Sequence, residues 1–200
     1  MPKVLSLENA EISDAGKFVK MIFDSASYFS ELFGKKINNA LYKLYEHPAN
    51  LFSCDHTKKV LYDGQTAALI LAYSENNKKK ENLRTGLLLF RYLQFSLLKN
   101  VSVLGKFNST VGDLPENSYY ISNIATSEEF RHKGVARLLM NNAETEAKKN
   151  FCDKLILDVE PENSAAVSLY KSLGYTTDDA FFIPFRSGFN LNLIRMIKVI

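Results

Sequence analysis

The chain alternates between stretches with the two-residue hydrophobic period of strands and stretches with the helical period of about 3.6 residues. At its start, "PKVLSLE" predicts a short strand, and apolar spacing over 11–33 predicts a helix that stops at Gly34. A second helix is predicted over "INNALYKLYEH", before Pro48. The runs "KKVLY" and "TAALILAY" flank Asp63-Gly64, a dipeptide typical of hairpin turns, so we predict two paired strands there.

The second half of the chain predicts alternating strands and helices. The charged run "SENNKKKEN" (74–82) predicts a break, and 84–107 then has the spacing of a helix with apolar residues on more than one face. "SYYISNIAT" (118–126) predicts a strand, because it is rich in β-branched and aromatic residues. A helix over 134–149, a strand at "KLILDVE", a helix over 163–173 and two closing strands, "AFFIPF" and "LNLIRMIKVI", follow. This order favours an α/β sheet with parallel strands joined by helical crossovers.

Composition narrows the class of protein. The 200 residues suffice for one domain with a hydrophobic core, and no linker or repeat divides them, so we predict a single domain over 1–200. Apolar content of 46% and charged content of 24% are typical of a soluble globular protein. The net charge of +3 is too small for a general polyanion binder, so no nucleic-acid partner is expected. Two cysteines cannot form a disulfide framework, and "MPKVLSLENA" lacks signal-peptide features, so we expect a cytoplasmic protein.

Two other kinds of site are not expected. The most apolar run, "GLLLFRYLQFSLL", is broken by Arg91 and Gln94 and is shorter than the ~20 residues of a bilayer span, so we expect no membrane crossing. The cluster "CDH" at 54–56 has no second pair of ligands at metal-binding spacing, so we predict no metal site.

One short stretch, "FRHKGVARLL", carries its charges in an unusual place. Arg131, His132 and Lys133 stand where a helix is about to begin, and a helix N-terminus already carries about +0.5 of an elementary charge. Gly134 and Ala136 are small enough to let the first-turn N–H groups reach a phosphate. The stretch also follows the carboxyl end of a predicted strand, where open sheets bind ligands. We therefore predict a site for a diphosphate or a similar anion, although no P-loop or G-x-G-x-x-G motif occurs.

"ISNIATSEEFRHKGVARLLM" followed by "ILDVEPENSAAVSLYKSLGY" resembles the GCN5-related N-acetyltransferases, the GNAT family. That family has a strand, Q/R-x-x-G-x-G/A opening a helix, another strand, and N-x-x-A-x-x-L-Y-x-x-x-G-[FY]. The resemblance is specific over about 118–176 and weaker over 1–75. Residues 76–117 have no counterpart in the minimal family plan, so we interpret them as an insertion. The implied fold is a central, mixed, twisted sheet with helices on both faces and a helical insertion between the third and fourth strands.

The resemblance implies acetyl-CoA as the co-substrate. The strand before the motif would splay from its neighbour and pair with the pantetheine arm through the main chain of Ile124, Ala125 and Thr126. Asn163 would reach the cofactor where the strands part, and capping the next helix is an equally weighted alternative that can hold at the same time. The pyrophosphate would bind mainly main-chain N–H groups of Arg131, His132, Lys133, Gly134, Val135, Ala136 and Arg137.

The implied reaction is transfer of an acetyl group from acetyl-CoA to a primary amine by direct attack in a ternary complex. Tyr170 is the implied general acid, because a phenol with a pKa of ~10 can protonate the departing thiolate; its helical spacing alone would indicate a core tyrosine. The strand before the motif carries no acid, so Glu160 is the preferred general base, with Asp158 in reserve. The alternative for Glu160 is an ordinary solvated glutamate.

The acceptor is expected to be a small-molecule or peptide amine. Residues 84–107 are too apolar to lie free in water, so we expect them to pack over the sheet and roof the acceptor side, with a homodimer contact as the main alternative. A different class of function also fits the resemblance, namely a non-catalytic sensor that binds CoA or acyl-CoA in the same fold. A third class, a nucleic-acid-binding protein that uses 131–133, is disfavoured by the near-neutral charge balance.

Overall fold

The computed structural model describes residues 4–94, 100–185 and 187–200. In those ranges the strands are β1 (Leu5–Asn9), β2 (Thr57–Tyr62), β3 (Gln65–Ser74), β4 (Ser118–Thr126), β5 (Lys154–Val159), β6 (Thr176–Pro184) and β7 (Asn190–Val199). The α-helices are α1 (Ala15–Ser25), α2 (Phe29–Phe33), α3 (Ile37–Glu46), α4 (Glu75–Leu93), α5 (Val101–Thr110), α6 (Val135–Lys149) and α7 (Ser164–Ser172).

The strands form one mixed sheet in the order β1-β2-β3-β4-β5-β7-β6. β4 and β5 run parallel, and the other described neighbours are antiparallel. The parallel pair is joined through α6, which supplies the helical crossover that parallel strands need. The mixed α/β sheet predicted from the sequence is confirmed.

Helices cover both faces of this sheet. Because side chains alternate along a strand, Leu69 and Leu71 of β3 join a hydrophobic cluster with α1–α3, while Ile70 faces a second cluster with α6 and α7. The second cluster contains the buried side chains that the spacing in 134–149 predicted, namely Val135, Leu139, Ala143 and Ala147. The sheet therefore carries a hydrophobic core on each side.

Two boundaries predicted before residue 83 are wrong. The stretch 11–33 does not form one helix, because the chain leaves helical geometry at Ala26 before α2 begins. Both helices bury their apolar side chains in the same cluster, so the hydrophobic spacing continues across the turn. The charged run 74–82 is not a break: the Ser74 hydroxyl accepts from the Asn77 N–H and caps α4, and Lys79 and Lys80 lie on an exposed face of that helix.

The hairpin between β2 and β3 follows the prediction. Asp63 and Gly64 form a two-residue turn in which both φ angles are positive, at 51° and 79°. Such turns match the right-handed twist of the strands they connect, which is why Asp-Gly favours them.

The helical insertion consists of α4 and α5, between β3 and β4. It is not one helix over 84–107, since α4 ends at Leu93 and α5 begins at Val101; residues 95–99 of that prediction lie outside the described residues. Val103 of α5 shares a hydrophobic cluster with side chains of β6 and β7, and the Phe107 ring lies 6.0 Å from the ring of Tyr28. The insertion thus packs over the face of the sheet that carries α1 and α2.

Candidate functional site

β4 and β5 separate halfway along the sheet. They pair from Ser118 with Lys154 to Ile121 with Leu157, and no further pairing joins them. β4 continues to Thr126 and stays paired with β3 on its other side, while β5 continues beside β7. The main chain of 122–126 therefore has one edge that faces an open wedge.

A β-bulge occurs where the two strands separate. On β3, Leu71 pairs with Asn123 but Ala72 pairs with Ile121, so Ser122 is an extra residue on β4. A bulge bends its strand and increases the local twist. This extra residue is a physical reason for β4 to turn away from β5.

The predicted anion motif forms a sharp turn at the mouth of the wedge. His132 and Gly134 both have positive φ, at 60° and 80°, and Gly134 is the N-cap of α6. A Cβ added at Gly134 would meet no atom within 4 Å, so the space in front of it is open. The first helical hydrogen bond runs from the Leu138 N–H to the Gly134 carbonyl, so the N–H groups of the first turn have no partner within the helix.

Positively charged side chains surround these N–H groups. The Lys133 ammonium lies 5.0 Å from the ring centroids of both Tyr62 and Phe130. Arg137 donates to the Ser172 hydroxyl at 2.9 Å and so links the start of α6 to α7. The exposed basic side chains of the segment are Arg131, His132, Lys133 and Arg137, and Arg131 pairs with Glu128 at 3.6 Å. The turn combines free amides with positive potential, which suits a phosphate group.

Two predicted residues belong to the α7 segment: Asn163 is the N-cap of this helix and Tyr170 lies within it. The Asn163 Oδ1 accepts from the Ala166 N–H at 3.2 Å, so its capping role is confirmed. Tyr170 is 6% exposed and its ring lies 6.0 Å from that of Tyr175. Burial raises the pKa of Tyr170 to about 12, and its hydroxyl makes no hydrogen bond within the described part of the chain. The phenol therefore stays protonated at neutral pH.

The two predicted carboxylates at the end of β5 differ in their surroundings. Asp158 binds the Arg195 guanidinium through Nε at 2.9 Å and Nη2 at 3.1 Å, and it also accepts from the Tyr120 hydroxyl at 3.0 Å. Glu160 is half-buried and has no ion pair among the described residues. Burial and the neighbouring Glu162 raise the pKa of Glu160. Glu160 is thus the carboxylate that remains available for proton transfer.

Sequence reasoning missed a group of tyrosines beside these carboxylates. The rings of Tyr73 and Tyr120 lie 5.9 Å apart, and Tyr28 reaches the same region from the turn after α1. Burial, reinforced by the negative charge of Asp158, raises the pKa of all three hydroxyls. Tyrosines near the ends of adjacent strands were visible in the sequence, but their approach to one another depends on the strand register.

The described ranges contain neither a cluster of metal-ligating side chains nor a membrane-spanning helix. No group of three or more His, Cys, Asp or Glu side chains there could hold a metal ion. None of the described helices is long and apolar enough to cross a membrane.

Curated relatives match part of the chain. The ribosomal protein bS18-alanine N-acetyltransferase of Escherichia coli (strain K12) is 34% identical over 85 residues, which are 42% of this chain and 55% of that protein. N-alpha-acetyltransferase 30 of Saccharomyces cerevisiae is 36% identical over 56 residues, 28% of this chain and 32% of that protein. The matched stretches thus span about half of the first relative and a third of the second.

Solved structures and a family profile match much more of the chain. An N-acetyltransferase from Staphylococcus aureus Mu50 has a TM-score of 0.70 and 19% identity, over 96% of this chain and all of that one. The ribosomal-protein-S18-alanine N-acetyltransferase of Escherichia coli has a TM-score of 0.57 and 16% identity, over 98% of this chain and 94% of that one. These likenesses show a shared fold. The profile of the Acetyltransferase (GNAT) family matches residues 29–175, and the chain belongs to this family.

Proposed function

We propose that this protein transfers an acetyl group from acetyl-CoA to a primary amine by direct attack in a ternary complex. The observation that carries the proposal is the parting of β4 and β5 after Ile121 and Leu157, next to the exposed amides at Gly134. The pantetheine arm of CoA contains amides, which can add to the free edge of β4 as another strand would. The pyrophosphate would then lie at the N-terminus of α6.

The binding residues proposed from the sequence fit this arrangement. The main chain of Ile124, Ala125 and Thr126 lies on the free edge of β4, and the pyrophosphate would contact the segment from Arg131 to Arg137. Asn163 caps α7 through its Oδ1, which leaves its amide nitrogen free to donate to the cofactor. The main-chain donors and the Asn163 amide would together hold the thioester beside Tyr28, Tyr73 and Tyr120.

The proposed chemistry uses two side chains. An ammonium acceptor must lose a proton before its nitrogen can attack the thioester carbon, and Glu160 takes this proton directly or through water. The new C–N bond forms as the C–S bond breaks, and Tyr170 gives its phenolic proton to the departing CoA sulfur. The second proton, which the nitrogen loses as it becomes an amide, returns to the Tyr170 phenolate through water. The raised pKa of Glu160 makes it a stronger base than an exposed glutamate, and the raised pKa of Tyr170 keeps its proton in place until then.

The names of the relatives indicate which acceptor to test first. One relative is named for the alanine of ribosomal protein bS18, and another is named an N-alpha-acetyltransferase. We extend this to propose the N-terminal amine of a peptide as the acceptor here, with a small-molecule amine as the alternative.

The test is release of free CoA thiol from acetyl-CoA in the presence of a short peptide with a free N-terminal alanine, alongside a panel of small amines. We expect thiol release that requires both substrates. Tyr170→Phe should lower turnover about 100-fold and leave the CoA affinity unchanged, because general acids typically contribute ~10²–10⁴-fold. CoA binding without thiol release on the peptide or on any amine of the panel would instead favour a sensor.

A further inference from the structure

The end of the insertion is held to the sheet by an unusual set of hydrogen bonds. Residues 111–113 follow α5 and lead towards β4. Arg195 of β7 donates from Nη2 to the Val111 carbonyl and from Nη1 to the Asp113 carbonyl, both at 2.8 Å. The Lys78 ammonium of α4 donates to the Gly112 carbonyl between them. Three successive carbonyls at a helix C-terminus therefore accept from two cations, which also suits the negative end of the helix dipole.

The same guanidinium group of Arg195 also binds the sheet. Arg195 and Asp158 are directly opposite each other on β7 and β5, and Asp158 accepts from both Nε and Nη2. The guanidinium carbon lies 4.8 Å from the ring centroid of Phe181, and the Arg195 side chain is 7% exposed. Arginine is the side chain whose planar guanidinium can donate to a carboxylate from two nitrogens and to two carbonyls at the same time.

This connection leads directly to the acceptor side of the wedge. Asp158 also accepts from the Tyr120 hydroxyl, and Glu160 stands two residues further along the chain, just past the end of β5. On α5, Phe107 packs against Tyr28, whose hydroxyl lies within reach of the charges of Asp158 and Glu160. The insertion thus contacts the acceptor side at α5 and is fixed to the sheet at its end by Arg195.

We infer that Arg195 is a positioning residue of the acceptor site, which fixes the insertion against β5 and thereby sets where α5 lies over the bound amine. The inference rests on the proposed function and deepens it. The hydrogen bonds of Arg195 go to Val111, Asp113 and Asp158, and none goes to the free edge of β4 or to the start of α6. Its loss should therefore weaken acceptor binding and leave acetyl-CoA binding intact.

The test uses two variants and a matched control. Arg195→Lys keeps the charge but loses the planar fork. The double variant Arg195→Met with Asp158→Asn removes both charges, which avoids leaving a buried, unpaired carboxylate. Lys198→Met is the control, because Lys198 lies on the same strand and pairs with Glu144 of α6, away from the insertion.

Three quantities are measured on each folded variant: the KM of the N-terminal alanine peptide (or of the best amine), the Kd of CoA by calorimetry, and amide hydrogen exchange over 101–113. We expect both Arg195 variants to raise the acceptor KM about tenfold, a factor worth ~1.4 kcal/mol, and to speed exchange in α5. Their CoA Kd should stay within about twofold of the wild type, and Lys198→Met should change none of the three beyond that margin.

An acceptor KM and an α5 exchange rate that match the wild type in the double variant would overturn the inference. So would an equal loss of CoA affinity, which would indicate a general structural role. A wild-type protein that turns over no amine overturns the proposed function and this inference with it. A wild type that turns over normally, beside Arg195 variants that do the same, overturns the inference alone.

Discussion

Replacing Gly134 by leucine perturbs the turn before α6 in two separable ways. The residue has a φ of +80°, and a side chain in this left-handed region costs about 1–2 kcal/mol of stability. The new side chain would also occupy the open space in front of the first-turn amides, where we expect the diphosphate. The first effect acts on folding and the second on binding, so a single variant cannot distinguish them.

Gly64 provides a matched control for the strain. It has a φ of +79°, and a Cβ added there also meets no atom within 4 Å, but it lies in the β2–β3 hairpin turn. Gly64→Leu should therefore lose the same ~1–2 kcal/mol of stability as Gly134→Leu. Any difference in CoA affinity between the two variants reports contact with the ligand alone.

We expect Gly134→Leu to raise the Kd of CoA at least about tenfold, which is ~1.4 kcal/mol, and Gly64→Leu to leave it unchanged. Denaturant unfolding without ligand gives the stability of each variant, and calorimetry with CoA gives the affinity. A Gly134→Leu protein that binds CoA as tightly as the wild type would refute the argument that these amides hold the diphosphate. An equal loss of affinity in both variants would trace the effect to backbone strain.

Four further predictions follow from the described contacts. In the wild type, kcat/KM should fall as the pH drops through an apparent pKa above that of an ordinary glutamate, because burial raises the pKa of Glu160 and its protonated form cannot act as a base. In a pH-rate series, Glu160→Gln should abolish this fall at low pH and lower the rate at neutral pH about 100-fold. Asn163→Ser retains a capping oxygen, so thermal unfolding should change little while calorimetry shows a CoA affinity several-fold weaker; an unchanged affinity would mean that Asn163 only caps. Burial would raise the pKa of Asp14, but the interactions of its carboxylate, foremost the hydrogen bond from Lys59, together outweigh burial and lower this pKa in the folded protein. The ionised Asp14 therefore stabilises the fold above the unfolded pKa of ~3.9, and this stabilisation is lost as the pH falls through the lower folded pKa. Denaturant unfolding of Asp14→Asn should lack this acid-dependent loss of stability. Leu139→Ala should cost about 2–5 kcal/mol in chemical denaturation, since the Leu139 side chain of α6 is fully buried. A loss under about 1 kcal/mol would mean that the surrounding core collapses around the smaller side chain.

The elements set by local chemistry could be predicted from the sequence. The β-branched and aromatic residues of 118–126 predicted β4, the Asp-Gly dipeptide predicted the hairpin, and Asn163 predicted the start of α7. The turn at Gly134 was predictable for the same reason, because the glycine and its charged neighbours lie within a few residues of one another. The error at 74–82 arose because a run of charges is compatible with a helix whose outer face is solvated.

The acceptor side could not be predicted in the same way. Tyr28, Tyr120 and Arg195 come from a turn and two strands far apart in the chain, and their contacts depend on the β3–β4 and β5–β7 registers. The sequence analysis already preferred Glu160 to Asp158, but the physical reason for this preference is that Arg195 stands opposite Asp158 on β7, which only the fold shows. The sequence predicted both carboxylates, and only the packing shows which one is already paired.

The bulged strand would recognise the proposed cofactor with atoms that every residue type shares. Ile124 and Ala125 send their side chains into opposite hydrophobic clusters, so only the peptide groups between them face the wedge. Evolution can therefore exchange these side chains for others of similar size without altering the peptide groups that the proposed cofactor would meet. Removing the single extra residue at Ser122 would be a different matter, because it would let β4 lie flat along β5 and close the wedge while every chemically reactive group stayed in the chain.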